Sequence, residues 1–321
     1  MTTAPTTVHA EDASSLDTSA HSAGPAAARP SYRPFAVEIE SIEDISPSFR
    51  RLTLRGPELH HCADHLLDQR IQLLLGEPLV ELTDPYLWFL SWRALPQETR
   101  PIMRTYTLSG VDRDASRVTV DLACRPAHGP ASRFAAAAEI GTRFIVVGPD
   151  ATHPDSAVDG IAWHPGQARD VLLVGDETAL PAIRNILRSL PDGTTGRVVL
   201  DLPHLADAVE LSVPDGVHLD VVARDPRGVG VAVDAALGEL FAAGSTIPVA
   251  RTAERSAREP DDDMLWDEGA AGSTPLQTYA WLAGEAGWIA TLRRRDRQNP
   301  VPGRTCSFMG YWRTGRAEST D

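Results

Sequence analysis

Asp170-Val171-Leu172-Leu173-Val174-Gly175-Asp176-Glu177-Thr178-Ala179-Leu180-Pro181 marks a change of grammar in this chain. The unbroken apolar run 171–174 has the pattern of a strand buried on both faces. Gly175 ends it, and residues 179–190 continue as a helix that Pro191-Asp192-Gly193 stops. Downstream, 197–200 and 217–222 read as strands, 232–243 as a helix, 279–284 as a late strand and 285–295 as a helix. Strand–helix alternation with apolar strands predicts a parallel sheet covered on both sides.

Upstream the period is different. Phe35-Ala36-Val37-Glu38-Ile39-Glu40-Ser41-Ile42 alternates apolar and polar, as a half-buried strand does. Residues 49–54, 70–75, 103–109, 117–123 and 144–147 supply five more short strands, and 132–138 one helix. That spacing predicts an antiparallel barrel. The fold class is therefore β followed by α/β, an N-terminal antiparallel barrel and then a Rossmann-like parallel sheet. The expected boundaries are a disordered tail at 1–30, the barrel at 31–150, a Pro-, Gly-, Asp- and His-rich linker at 151–169, and the α/β domain at 170–321. The tail has neither the basic start nor the apolar core of a signal peptide. Residues 259–268 carry six acids (Glu259, Asp261, Asp262, Asp263, Asp267, Glu268) and no base, which reads as a solvated loop.

Composition narrows the function. The 321 residues suit two domains, with 42% hydrophobic and 23% charged residues as in an ordinary globular protein. A net charge of −14 argues against nucleic acid, whose recognition needs a basic surface, and against anionic lipid. No apolar run reaches the roughly 18–20 residues of a membrane span. Cys62, Cys124 and Cys306 are too few and too dispersed for a disulfide framework, a CxxC pair or a four-cysteine iron–sulfur cluster. This cysteine usage points to the cytoplasm. The chain has no lysine, which removes Schiff-base chemistry. His60, His61 and His65 are the one histidine cluster, and no metal site is expected. The chain is expected to be a monomer.

Two motifs in the barrel half suit a flavin dinucleotide. On a strand, Arg104 and Tyr106 share one face, Thr105 and Thr107 the other. The Arg104 fork matches a pyrophosphate and the Tyr106 ring an isoalloxazine, and Thr107 offers a donor near the reactive nitrogen. Alone, these four residues would equally make an ordinary amphipathic strand. Gly129-Pro130-Ala131-Ser132 then opens a helix, whose free N–H groups form an anion site or are simply capped. In the α/β half, Gly175-Asp176-Glu177-Thr178 and Gly284-Glu285 follow strand ends, where open sheets bind ligands. Asp201 ends the second strand, where an acid can hold a ribose hydroxyl; Arg224 or Arg227 could instead hold a 2′-phosphate. Phe308-Met309-Gly310-Tyr311-Trp312-Arg313-Thr314-Gly315 is aromatic and basic, and could cover a flavin or be core.

These segments, in this order, resemble the siderophore-interacting protein family of flavin-dependent ferric-siderophore reductases. The resemblance rests on Arg104-Thr105-Tyr106-Thr107, Gly129-Pro130-Ala131-Ser132-Arg133, the run 175–183, Ala280-Trp281-Leu282-Ala283-Gly284-Glu285-Ala286 and Gly310-Tyr311-Trp312-Arg313. It implies an FAD-binding barrel, an NADH- or NADPH-binding α/β domain and a ferric siderophore as substrate. Carried over by position, Arg104, Thr105, Tyr106, Thr107, Asp121, Gly129, Ala131, Ser132, Tyr311 and Trp312 attend the flavin, with Tyr106 and Thr107 at the reacting centre. Gly175, Asp176, Glu177, Thr178, Gly284 and Glu285 line the nicotinamide site. The family's usual His-Gly before Gly-Pro-Ala is Arg125-Pro126 here, so Arg125 or His128 takes that contact. Without lysine, the chelate's basic wall falls to Arg50, Arg51, Arg100 or Arg313. The competing readings are a flavin reductase with another acceptor and a flavin- or siderophore-binding protein without turnover.

Overall fold

The structure, a computed structural model, describes residues 30–76, 82–124, 129–234, 237–238, 266–267 and 278–315, with the side chains of 129–131 left out. Arg125, His128, the expected tail up to residue 29 and the acidic run except Asp267 lie outside the described residues, as does the expected helix at 232–243 beyond residue 238.

Six strands close a barrel: β1 (Tyr32–Ser46), β2 (Phe49–Arg55), β3 (Arg70–Leu75), β4 (Ile102–Asp112), β5 (Arg117–Ala123) and β6 (Arg143–Pro149), in the order β1-β2-β5-β4-β3-β6. Closure depends on the length of β1. Its first half pairs with β6 and its second with β2, and register shifts after Ile39 and Asp44 bend it between them. Phe35, Leu52, Leu54, Ile71, Leu73, Val120 and Phe144 fill the interior. Helix α1 (Trp88–Ala94), which the sequence pattern did not indicate, lies between β3 and β4. Its Trp92 is buried and donates Nε1–H to the Pro101 carbonyl at 2.8 Å. Helix α2 (Gly129–Ala137) joins β5 to β6.

The second sheet contains β7 (Asp170–Asp176), β8 (Thr195–Leu202), β9 (Val217–Ala223), β10 (Trp266–Asp267), β11 (Thr278–Glu285) and β12 (Arg304–Trp312), in the order β10-β12-β11-β7-β8-β9. From β12 to β9 every pair is parallel; only the edge strand β10 runs the other way. Helix α3 (Leu180–Ser189) and helix α4 (Ala286–Gln298) pack against separate core clusters of the sheet. The expected cover at 308–315 is mostly strand β12, hydrogen-bonded beside β11. Phe308 and Met309 are buried in two different clusters, as successive residues of a doubly covered strand must be.

Two features join the halves. Residues 180–187 of α3 are all buried, because the sheet takes one side of the helix and the barrel the other. The expected linker is packed, not free: Ile161, Ala162 and Trp163 are core, and the Tyr279 hydroxyl donates to the Ala162 carbonyl at 2.9 Å.

Candidate functional site

A helix buried on every side must pair its polar groups. In α3, Asn185 donates Nδ2–H to the Leu67 and Leu108 carbonyls at 2.9 and 2.8 Å, holding the helix against β4. Arg184 reaches Asp121 on β5 at 2.5 Å, and Arg51 of β2 grips the same carboxylate at 2.8 and 3.0 Å. Burial raises the Asp121 carboxyl pKa, but the two guanidinium groups outweigh it and hold the value below the ordinary one. A second buried carboxylate, Asp68, accepts N–H from Ala162, Trp163 and the Trp281 indole of β11 (3.0 Å). There burial wins and raises the pKa. The barrel and sheet are thus locked at a fixed angle, with β4 facing the carboxyl ends of the sheet strands.

On β4, Arg104 and Tyr106 are half-buried, with Tyr106 against the barrel core, while Thr107 is buried on the opposite face. Tyr311 of β12 points its buried hydroxyl toward Thr107 without reaching hydrogen-bond geometry, and that oxygen has no other partner. Burial pushes the phenol pKa well above its ordinary value. The Tyr311 ring stacks on Trp266 at 6.1 Å and meets Trp281 edge-on at 6.3 Å, and Arg70 lies over Trp266 at 4.1 Å.

The strand ends meet on Asp176. One oxygen accepts from the Thr178 N–H (2.9 Å) and hydroxyl (2.5 Å), the other from the Glu285 N–H and the Trp312 indole, both at 2.8 Å. This fully buried carboxylate ties together the ends of β7, β11 and β12. Gly284 permits it. A Cβ there would lie 2.7 Å from the Asp176 carboxylate, and its φ of +149° disfavours other residues. Glu285 caps α4 through the Trp288 N–H at 2.8 Å and also accepts from the Thr314 N–H at 3.1 Å.

The structure therefore gathers Thr107, Gly175, Asp176, Glu177, Thr178, Gly284, Glu285, Tyr311 and Trp312 around one seam, with Arg104, Thr105 and Tyr106 along β4. Ser132, in the first turn of α2, follows β5; Gly129 and Ala131 open the same turn. Other expected residues have different tasks. Asp121 is saturated by arginines. Arg51 is held by Asp121 and by Glu210 (2.8 Å), so it belongs to the interdomain lock and not to an open wall. Arg50 pairs with Asp44 at 2.8 Å and donates to the Ala135 carbonyl of α2. Arg100 donates to the carbonyls of Arg93 and Leu95 and lies over Trp92. Arg313, half-buried, sits past β12. Arg50, Arg51 and Arg100 are thus each engaged by partners of their own. Asp201 presents no oxygen to a ribose: it is fully buried, with Gly230 N–H on one oxygen and Arg224 on the other. Sequence reading missed Asp68, Arg184 and Asn185. The available signal, for Arg184 and Asn185 alone, was a pair of polar residues inside the otherwise apolar run 180–187.

The seam passes a simple fit test for a flavin. A half-buried arginine and aromatic ring line one strand, a helix opens after the neighbouring strand β5, and a buried hydroxyl lacks a partner beside Thr107. Fold and site together define a two-domain, reductase-like flavin protein. A sequence profile described as siderophore-interacting FAD-binding domain matches residues 38–153, and one described as siderophore-interacting protein matches 168–315. The chain belongs to the siderophore-interacting protein family. It is similar to an uncharacterised protein of Mycobacterium tuberculosis (29% identity, 88% of this chain, 91% of the other). Similarity to the ferric vibriobactin reductase ViuB of Vibrio cholerae is 25% identity over 57% of this chain and 64% of that one. The crystal structure of the siderophore-interacting protein SipS from Aeromonas hydrophila superposes with a TM-score of 0.62 (26% identity, 90% of this chain, 95% of that one).

Proposed function

We propose that this chain is an NAD(P)H-dependent ferric-siderophore reductase that passes electrons through FAD and releases Fe(II) from its chelate for iron assimilation. The observation that supports the reading is the meeting of two strands from different domains: Thr107, midway along β4 of the barrel, lies beside the buried Tyr311 hydroxyl near the end of β12 in the sheet. A reductase of this kind needs one place where a nicotinamide from the sheet side reaches a flavin from the barrel side. FAD, when bound, supplies uptake of an electron pair and its release one electron at a time. Arg104 holds its pyrophosphate with the α2 start at Gly129, Ala131 and Ser132. Tyr106 packs against the ring and Thr107 donates at its reacting edge. Tyr311 and the indole stack exclude water on the other side. Gly175–Thr178 and Gly284–Glu285 seat the nicotinamide half of the nucleotide. The ferric chelate is substrate, and its basic contacts fall to the expected arginines outside the interdomain lock, Arg50, Arg100 and Arg313. Fe(II) binds oxygen chelators more weakly than Fe(III), so reduction frees the metal without an acid or base at the iron.

An anaerobic titration of the purified, FAD-loaded chain tests this. The expected result is a flavin spectrum that bleaches with NADH or NADPH and recovers with a ferric hydroxamate while an Fe(II) trap colours. Bleaching without Fe(II) would transfer the reading to another acceptor. A chain that takes up no FAD would overturn it. Arg104→Ala is expected to weaken FAD binding about ten-fold or more, since a charge-assisted pair is lost.

A further inference from the structure

The carboxyl ends of β8 and β9 face the stretch where the adenosine half of a dinucleotide would lie. Arg224 is the first residue past β9, and there it is already occupied. Its Nη2 donates to the Glu177 carboxylate in the β7–α3 turn and, at 2.9 Å, to the Asp201 carbonyl. Its Nε lies 3.4 Å from the Asp201 carboxylate. Both acids are fully buried. The second Asp201 oxygen accepts the Gly230 N–H, which pins the loop 225–230 over the same cluster. The next cation along that loop, Arg227, folds back on Asp225 through contacts of 2.9 and 2.8 Å. Beside it opens a cavity of about 620 Å³, lined by Arg227, Val229, Gly230, Val231, Trp288 and Thr291 among others. The buried Trp288 Nε1–H in this wall has no partner.

This arrangement bears on which nucleotide is used. A 2′-phosphate brings close to two negative charges and needs a free guanidinium. Among the described residues at this edge of the sheet, one guanidinium is shared between two carboxylates, and the other has its own acid. We infer that the chain selects NADH over NADPH, and that Glu177 and Asp201 exert the choice indirectly, by clamping Arg224 away from the nucleotide. Asp201 thus acts as a positioning residue and not as the ribose ligand its strand-end position suggests. The inference rests on the reductase reading, which supplies the nucleotide; it adds which of the two is taken and what sets the preference.

Glu177→Gln is the informative variant, because its loss leaves Gly230 anchored by Asp201. Calorimetric titration of the full chain with 5′-AMP and 2′,5′-ADP reads adenosine-end binding without turnover. Flavin bleaching by NADH and NADPH gives kcat/KM for each. The wild type is expected to favour the unphosphorylated partner in both assays by about ten-fold or more, the scale of one charge-assisted contact. Glu177→Gln should shrink that ratio about five-fold or more, and adding Arg224→Ala should restore it, since the released guanidinium is what recruits the phosphate. Thermal unfolding of each variant checks that it is folded, and Asp201→Asn, which keeps an acceptor for Gly230, is the second release variant. A wild type that binds 2′,5′-ADP as well as 5′-AMP, or release variants that leave the ratio unchanged, would overturn the clamp. Absence of binding and bleaching with both nucleotides would overturn the reductase reading with it.

Discussion

Arginine meets carboxylate in two settings in this molecule: along the outside of the barrel and in the seam between barrel and sheet. Outside, Arg117 reaches Glu40 at 2.8 Å and Arg55 reaches its cross-strand neighbour Glu38 at 2.7 Å, with side chains 23–58% exposed. In the seam, Arg184 and Asp121 meet at 2.5 Å with side chains 2% and 0% exposed. The chemistry is the same and the distances are similar, but the solvent differs. Water screens the outer pairs, and holding two mobile side chains together offsets most of their attraction. In the seam neither charge can recover its hydration if the other is removed. The outer pairs decorate a surface, whereas the seam pairs set the angle at which β4 meets the ends of β7, β11 and β12, and so the distance between the two halves of the site.

Breaking the comparison at its strong end should give the largest effect. Arg184→Ala leaves Asp121 buried with only Arg51, and should cost about 3–5 kcal/mol of stability in chemical denaturation. A loss as small as that of an exposed pair would show that the seam opens to water. Trp281→Phe removes one of the donors to Asp68 across the same seam. A loss of about 1–3 kcal/mol is expected, the cost of an unmet buried acceptor, with less if water replaces the indole N–H.

The pH dependence sharpens the contrast within the seam. Asp121 has a folded pKa below its unfolded value of about 3.9, so its contribution is full above that value and is lost as pH falls through the lower, folded one. Asp68 has a raised folded pKa, so its contribution is full below about 3.9 and declines as pH rises through the folded value. Denaturation between about pH 2 and 7 should therefore show Asp121→Asn flattening the loss of stability below about pH 3.9 and Asp68→Asn flattening the decline above it. Like signs for the two variants would contradict the assignment. At the weak end, Glu40→Gln should leave the denaturation midpoint unchanged, because both partners are solvated.

Local pattern carried much of the architecture. The run 171–174 and Gly175 place β7 and its turn, and alternation in 35–42 places the first half of β1, because burial on one or two faces is written in the period of the apolar residues. The motif at Arg104–Thr107 was legible on its strand for the same reason. Other elements had no local signature. Residues 308–312 are aromatic and apolar, a composition equally suited to a core, a cover or a strand, and only pairing with β11 makes them β12. Three of the seven residues of α1 are aromatic, Trp88 half-buried, Phe89 exposed and Trp92 buried, with no clear helical stripe.

Charges show where sequence reading ends. Asp201 read as ligand-facing from its strand end, Asp121 and Arg51 from the family resemblance, and each is consumed by a partner distant in sequence: Asp121 by Arg184, Arg51 by Glu210, Asp201 by Gly230 and Arg224. Periodicity states which face of a strand a residue occupies, since that depends on neighbours two positions away. It does not state what lies across that face. The barrel, the parallel sheet and the strand-end turns were thus readable in the chain itself. The lock between domains, the Asp176 junction and the fate of the arginines arise from tertiary contacts between residues up to 213 positions apart, and those of the lock exist only once the two halves have docked.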